Sequence, residues 1–269
     1  MTPIDFGRRS TDYARLRPGY PPSFYERLAR IVPFAGKEVL DVGTGPGVVA
    51  LELARRGARV TGIDVAPGQI AEACRLAREQ DLDDRARFVV AAAEATGQAS
   101  AVFDVAIASQ CWLWLDHEKA LAEARRVLRP GGHFVVAHFN YLARHSPVAA
   151  ATEALVLRYN PGWTLGGFDG NYPRLIDELL EGGFEDVEGF AYDHLQPFTH
   201  EEWRGRVRTC NGVGSGALTD DDVGRFDADL AALLARDFPE PLLIPHRIWV
   251  AFGRSPPARL QRAASPRRR

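Results

Sequence analysis

The sequence predicts an α/β protein: a doubly wound, mostly parallel seven-stranded sheet with an antiparallel last strand and an inserted helical and aromatic cap. Three observations predict it. Short apolar runs alternate with stretches of helical periodicity through the first half of the 269 residues. A glycine-rich turn, Gly43-Thr44-Gly45-Pro46-Gly47, stands between the first such run and the first such helix. An acid, Asp64, ends the second run, twenty-one residues past Gly43.

The elements follow in order. Val39-Leu40-Asp41-Val42 is a strand that ends beside an acid, and Val48-Val49-Ala50-Leu51 opens a helix directly after the turn. The glycines let the backbone turn sharply and bring its amides close to a ligand. Arg59 to Ile63 is the second strand; an acid after it is placed to accept hydrogen bonds from both hydroxyls of a ribose. Arg87 to Val90 is the third strand, followed by Ala91-Ala92-Ala93-Glu94. Phe103 to Ala108 is the fourth, followed by Ser109-Gln110-Cys111-Trp112-Leu113-Trp114. Glu118 to Leu128 has helical spacing, stopped by Pro130-Gly131-Gly132, and His133 to Ala137 is the fifth strand. Ligands of such sheets bind outside the carboxyl ends of the strands, so the residues at these ends converge on one crevice.

The second half carries a helix, Val148 to Arg158, and an aromatic loop, Tyr159 to Phe168. Tyr172 to Gly182 is a packing helix and Glu185 to Phe190 a sixth strand. Thr199-His200-Glu201-Glu202 is a capping box that opens another helix. Asp220 to Phe238 is helical, and His246 to Phe252 is the seventh strand, antiparallel to the rest.

The glycine spacing decides among cofactors. A dinucleotide fingerprint places its third glycine where Val48 stands here; this chain has it one residue early, at Gly47. With Asp41 two residues before Gly43, the pattern resembles motif I of the class I S-adenosylmethionine-dependent methyltransferases. The segment Ala124 to Gly132 is similar to the same family. Asp12-Tyr13-Ala14-Arg15-Leu16-Arg17-Pro18-Gly19-Tyr20-Pro21 is similar to its small-molecule branch around the trans-aconitate methyltransferases. The resemblance covers residues 10 to 137. It implies a Rossmann-like sheet and S-adenosylmethionine as cofactor. The glycine loop would pass under the methionine part and Asp64 would hold the ribose.

On this reading the cofactor residues are Tyr13, Arg17, Asp41, Gly43, Thr44, Gly45, Gly47, Asp64, Val65, Ala93, Glu94, Ser109 and Gln110. Relatives place an acid for the adenine amino group where this chain has Ala92; Glu94 or the backbone at Ala93 and Glu94 stands in for it. His138 and Asn140, after the fifth strand, and Trp112 are the candidates for catalysis. Trp112 and Trp114 read either as a substrate wall or as core. Tyr20, Tyr141, Trp163 and Tyr172 are candidate pocket aromatics, with simple packing as the other reading. His246 is an acceptor contact or a hydrogen-bonded core histidine. Cys111 has nothing nearby in sequence to activate it as a nucleophile.

One domain is expected over residues 1–253: a lid helix at about 10–32, a cofactor core at about 33–138, a cap insertion at about 139–169, and further core and cap elements at 170–253. Residues 254–269 carry six arginines and no acid, which predicts a disordered basic tail and leaves a body near −8 from a net charge of −2. An acidic body argues against a nucleic-acid substrate. The apolar runs are too short for a membrane span, and Met1-Thr2-Pro3-Ile4-Asp5, without a basic start followed by an apolar run, is not expected to begin a signal peptide. Cys74, Cys111 and Cys210 form no metal-ligand cluster and suit a reducing, cytoplasmic setting. Only Lys37 and Lys119 are lysines, a bias of GC-rich bacterial genomes.

The sulfonium methyl is already electrophilic, so positioning and desolvation supply most of the acceleration and no triad is expected. The expectation is methyl transfer to oxygen, nitrogen or carbon of a small organic acceptor, with a partly apolar acceptor suggested by the aromatic cap. Two alternatives keep the cofactor: a non-methyl-transfer reaction such as cyclisation, or non-catalytic binding.

Overall fold

The computed structural model describes residues 18–214 and 218–257. The strands are β1 (Glu38–Val42), β2 (Arg59–Asp64), β3 (Ala86–Val90), β4 (Phe103–Ser109), β5 (Leu128–Tyr141), β6 (Glu185–Phe198) and β7 (Leu242–Arg254). They form one seven-stranded sheet in the order β3-β2-β1-β4-β5-β7-β6. β1 pairs in parallel with β2 and β4, β2 with β3, and β4 with β5. β7 runs the other way. The Gly131 amide donates to the Ser255 carbonyl at 2.9 Å and the Leu142 amide to the Pro245 carbonyl at 2.8 Å, so numbers fall along β7 as they rise along β5.

The helices are α1 (Pro22–Ala29), α2 (Val48–Arg55), α3 (Pro67–Glu79), α4 (His117–Val127), α5 (Pro147–Tyr159), α6 (Arg174–Glu181), α7 (His200–Arg208) and α8 (Asp220–Asp237). Their starts follow helix-capping chemistry. Asp116 accepts the Lys119 amide, Ser146 the Ala149 amide and Thr219 the Asp222 amide. Thr199 and Glu202 form the predicted capping box. Asp220, Asp221 and Asp222 place three acids at the positive end of the α8 dipole.

The chain divides into two compact units. The glycine-loop unit holds Tyr20–His138, Tyr172–Ala191 and the chain from Trp249. Its core joins strand residues such as Leu40, Ile63, Ala106, Phe134 and Val136 to Leu121, Val127, Leu175 and Leu179 from the helices. The aromatic unit holds Phe139–Asn171 and Tyr192–Ile248, more chain than the expected 139–169 insertion. Its core packs Ala149, Leu155 and Val156 with Trp203, Val207, Phe226, Leu230 and Leu234. The Trp203 indole N–H is satisfied by the Thr152 hydroxyl at 3.0 Å.

Several expectations need correction. β5 begins at Leu128 and takes in Pro130-Gly131-Gly132, which the sequence reads as a stop; Gly131 tolerates this because it adopts a left-handed φ of 75°. β6 extends beyond 185–190 into residues that mix polar with apolar and so lack a continuous apolar run, and β7 begins ahead of 246–252 at Leu242-Leu243-Ile244, a short apolar run that Pro245 sets apart from the rest of the strand. The lid helix does not fill 10–32: residues 18–21 are non-helical, with Pro21 and Pro22 barring helix from Tyr20 and Pro21, and α1 ends at Ala29. Arg254 closes β7, and Ser255 is buried and bonded to both Gly131 and Gly132, so the expected tail is ordered at its start. Residues 10–17 of the lid and 258–269 of the tail lie outside the described residues.

Candidate functional site

The glycine turn is held in left-handed backbone throughout: φ is 61° at Gly43, 55° at Gly45 and 83° at Gly47. Only glycine adopts this at little cost. The three serve different ends. A Cβ on Gly43 would lie 2.6 Å from Cys111 Cβ and 2.8 Å from its Sγ, so the loop after β4 presses on the turn. A Cβ on Gly47 would lie 3.0 Å from the Phe88 ring. A Cβ on Gly45 would meet no atom of the described residues within 4 Å, so among them this residue presents bare backbone.

Hydrogen bonds fix the turn to β2. The Thr44 amide donates to the Ile63 carbonyl at 2.8 Å, and the Gly47 amide to the Thr44 carbonyl at 3.0 Å. Asp64 bridges two loops: Oδ2 accepts the Gly45 amide at 3.0 Å and Oδ1 the Ala66 amide at 2.9 Å. The acid predicted to hold a ribose is therefore also a fastener of the turn. Its neighbour Val65 is 68% exposed, an apolar side chain standing in solvent beside the acid.

Asp41 is 1% exposed. The Thr44 hydroxyl donates to its Oδ2 at 2.6 Å, and its Oδ1 has no hydrogen-bond partner among the described residues. Burial pushes its carboxyl up to about 7; the Thr44 hydroxyl and the Ala50 amide pull it down, and the Asp64 charge pushes it up again.

Beyond β3, Ala93 is buried in the core and Glu94 accepts the Asp116 amide at 2.9 Å, which fixes the stretch after the strand. Beyond β4, the Ser109 hydroxyl donates to the Tyr20 oxygen at 3.1 Å, and Tyr20 stacks on Phe24 with centroids 4.0 Å apart. Burial raises the Tyr20 phenol well above its ordinary range. Gln110 takes a left-handed φ of 59°, a strained conformation that re-aims the chain at the strand's end. The Cys111 thiol donates to the Val42 carbonyl at 3.1 Å, and burial pushes it up, so it stays a thiol. The pressing of Cys111 and Phe88 on the glycines is a part of the site that sequence reasoning missed. Neither residue type signals such a role, and only strand register brings them there.

Trp112 is a correction. It is 1% exposed, its indole N–H donates to Glu178 at 2.9 Å, and it stacks on His117 with centroids 4.6 Å apart. With its ring inside the core and its one donor satisfied, it is a packing residue. Trp114 is 45% exposed. His138 is buried at the carboxyl-terminal part of β5 and stacks flat on Tyr172 at 3.7 Å. Burial holds its imidazole down at about 3, so it is neutral at physiological pH and a poor general base. Its Nε2 has no partner among the described residues.

The remaining candidates lie in the aromatic unit. His246 is fully buried; its Nδ1–H donates to the Ile244 carbonyl at 2.9 Å, and burial holds it too at about 3. This supports the core-histidine reading. Tyr141 meets Trp203 edge-on at 5.4 Å and carries the Arg206 guanidinium 4.7 Å above its ring. Trp163 donates to Asn211 at 3.1 Å, and the Gly167 amide donates to Glu153 at 2.7 Å, so the aromatic loop is pinned along its length. Asn140 is half-buried. Tyr13 and Arg17 lie outside the described residues. No group of three metal-ligating side chains occurs among the described residues, and no described helix is long and apolar enough to cross a membrane.

Comparison with known proteins adds to this geometry. A methyltransferase domain model matches residues 40–136. An uncharacterized methyltransferase of Mycobacterium tuberculosis is 33% identical over 129 residues, which are 48% of this chain and 49% of that one. The chain thus spans about half the length of the first curated relatives it matches. A ubiquinone biosynthesis O-methyltransferase of Xylella fastidiosa is 32% identical over 197 residues, 70% of this chain and 74% of that one. Among solved structures, a putative type II methyltransferase from Anaeromyxobacter dehalogenans superposes with a TM-score of 0.62 at 26% identity, over 90% of this chain and 99% of that chain.

Proposed function

The chain belongs to the class I S-adenosylmethionine-dependent methyltransferases, and from that membership we propose that it methylates a small, ring-bearing organic acceptor. The observation that carries the reading is the turn itself: three left-handed glycines, with the Gly45 amide tied to Oδ2 of Asp64. A pyrophosphate cradle calls for converging amides and no buried acid. Here a buried carboxylate, Asp41, has one oxygen without a donor, which suits the ammonium of a methionine end. The residues therefore fit the cofactor of the family.

S-adenosylmethionine, when bound, supplies a methyl group on a sulfonium. The chain does the rest. Gly43, Thr44, Gly45 and Gly47 shape the seat. Asp64, whose oxygens already accept the Gly45 and Ala66 amides, would hold the ribose hydroxyls. Val65 offers apolar cover, and the backbone from Ala93 to Glu94 borders the base. Gln110, in its strained turn, and Ser109 line the end of β4. Burial keeps His138, Tyr20 and Cys111 neutral at pH 7, so none is a ready base. Rate then comes from alignment and exclusion of water, and the acceptor atom must reach the site as a nucleophile in its own right.

The acceptor reading rests on Tyr141 and Trp163 of the aromatic unit and on the quinone-directed name of the Xylella relative. A bacterial setting is part of the same proposal, supported by the bacterial relatives. Isothermal titration with S-adenosylmethionine, S-adenosylhomocysteine and NAD tests the cofactor. Binding of the sulfonium pair, weakened by about 1–3 kcal/mol in Asp64→Ala, is the expected result; binding of NAD alone would overturn it. A gain of one methyl mass on a phenolic or quinol acceptor, by mass spectrometry, tests the reaction. Trp163→Ala should raise the acceptor's KM and spare the cofactor's Kd.

A further inference from the structure

Asp41 is a buried acid whose second oxygen has been left without a donor. Its surroundings explain why that is tolerable only in one protonation state. The Thr44 hydroxyl occupies Oδ2 and the Ala50 amide adds a weaker dipole. The other titratable groups that act on it are Asp64 at the end of β2, the Tyr25 phenol of α1 and the Cys111 thiol after β4. Tyr25 and Cys111 are neutral and Asp64 is an anion. Among the described residues, no cation is one of the groups that set the charge of Asp41. An uncompensated buried carboxylate is costly, and the remedy is to hold a proton until a positive charge arrives.

We propose that Asp41 is a proton-linked latch: protonated in much of the cofactor-free protein, and ionised when the cationic methionine end of S-adenosylmethionine settles beside it. The inference rests on the cofactor reading above and adds a consequence to it. The O–H bond of Asp41 breaks, its proton leaves to solvent, and the carboxylate charge is neutralised by the ligand's ammonium. Binding then releases a proton, and affinity rises with pH until Asp41 is ionised before the ligand comes. With a carboxyl near 7, the empty site holds the proton below that value and loses it above.

The test is titration calorimetry with S-adenosylmethionine at pH 7 in phosphate and in Tris, whose ionisation heats differ widely, on the wild type and Asp41→Asn. The wild type should release about half a proton per cofactor bound, and its affinity should be about tenfold weaker at pH 6 than at pH 7.5. Asp41→Asn, which mimics the protonated form, should bind with no Asp41-dependent release and a flat profile over that range. Binding whose heat does not depend on buffer, or release retained in Asp41→Asn, overturns the latch while leaving the cofactor intact. Absence of any binding overturns the cofactor reading instead, and the latch with it. If Asp41→Asn fails to fold, carbon-13 NMR of the aspartate carboxyls in the cofactor-free wild type decides. A buried resonance titrating near 7 supports the latch, and titration of every carboxyl below about 5 overturns it.

Discussion

The two units solve the same problem, burying apolar surface around a few polar groups, by different means. In the glycine-loop unit the working parts are backbone: amides of Gly45 and Ala66 converge on Asp64, and the glycines exist so that no side chain intrudes. In the aromatic unit the working parts are side chains: Trp203 on Thr152, Trp163 on Asn211, Arg206 over Tyr141. A backbone device allows few alternatives at each position. A side-chain device can be rebuilt from many combinations. On the proposed function, the first would carry the cofactor and the second would vary with the acceptor.

The largest effect that would separate the units is Trp203→Ala. Removing a fully buried indole should cost about 3–5 kcal/mol and strip Thr152 of its donor. Denaturant unfolding should register that loss, while cofactor affinity stays within about twofold. Equal loss of both would mean that the two units do not act separately. Next comes Gly43→Ala, where left-handed backbone and contact with Cys111 act together; about 2–3 kcal/mol of stability or cofactor affinity should go. Cys111→Gly in the same chain should restore part of it, and no restoration would refute the contact as the cause.

A third measurement compares the units through one histidine in each. His138 and His246 are both held neutral, near 3, by burial. Their folded values lie below the unfolded value of about 6.5, so the unfolded chain binds more protons between the two. Stability is full above about 6.5 and falls as pH drops toward 3, by up to about 1.4 kcal/mol per pH unit for each histidine. His138→Gln and His246→Gln should each remove one share of that slope, as read by denaturant midpoints at several pH values. The smallest effect is Gly45→Ala, where only the dihedral is strained: about 1 kcal/mol of stability, with the larger loss in cofactor binding, because the added methyl enters the open space.

The same contrast governs what could be read in the sequence. The turn, Asp64, the strand order's first five members and the capping box at Thr199 were legible because each needs particular residue types at fixed spacing. The lengths of β6 and β7 were not. The outer residues of β6 alternate between exposed and half-buried, which is also the pattern of a loop, and in β7 Pro245 interrupts the apolar sequence after Ile244. Trp112 shows why a tryptophan after β4 is ambiguous. Whether it faces a ligand or the core depends on Glu178, sixty-six residues away, which no local spacing reveals. His138 and His246 were similarly open, because a histidine's role follows from its burial.

The antiparallel strand has a consequence for how the chain assembles. β7 lies between β5 and β6, yet it is the last strand made. On a ribosome, β1 to β5 can pair as they emerge, whereas β6 must wait, a fourteen-residue ribbon with no neighbour to dock against. Until residues 242–254 arrive, the edges of β5 and β6 stand open to each other and to foreign strands. Any pause in synthesis across α8 therefore exposes the molecule at its most adhesive, and that is the interval in which a chaperone would find it.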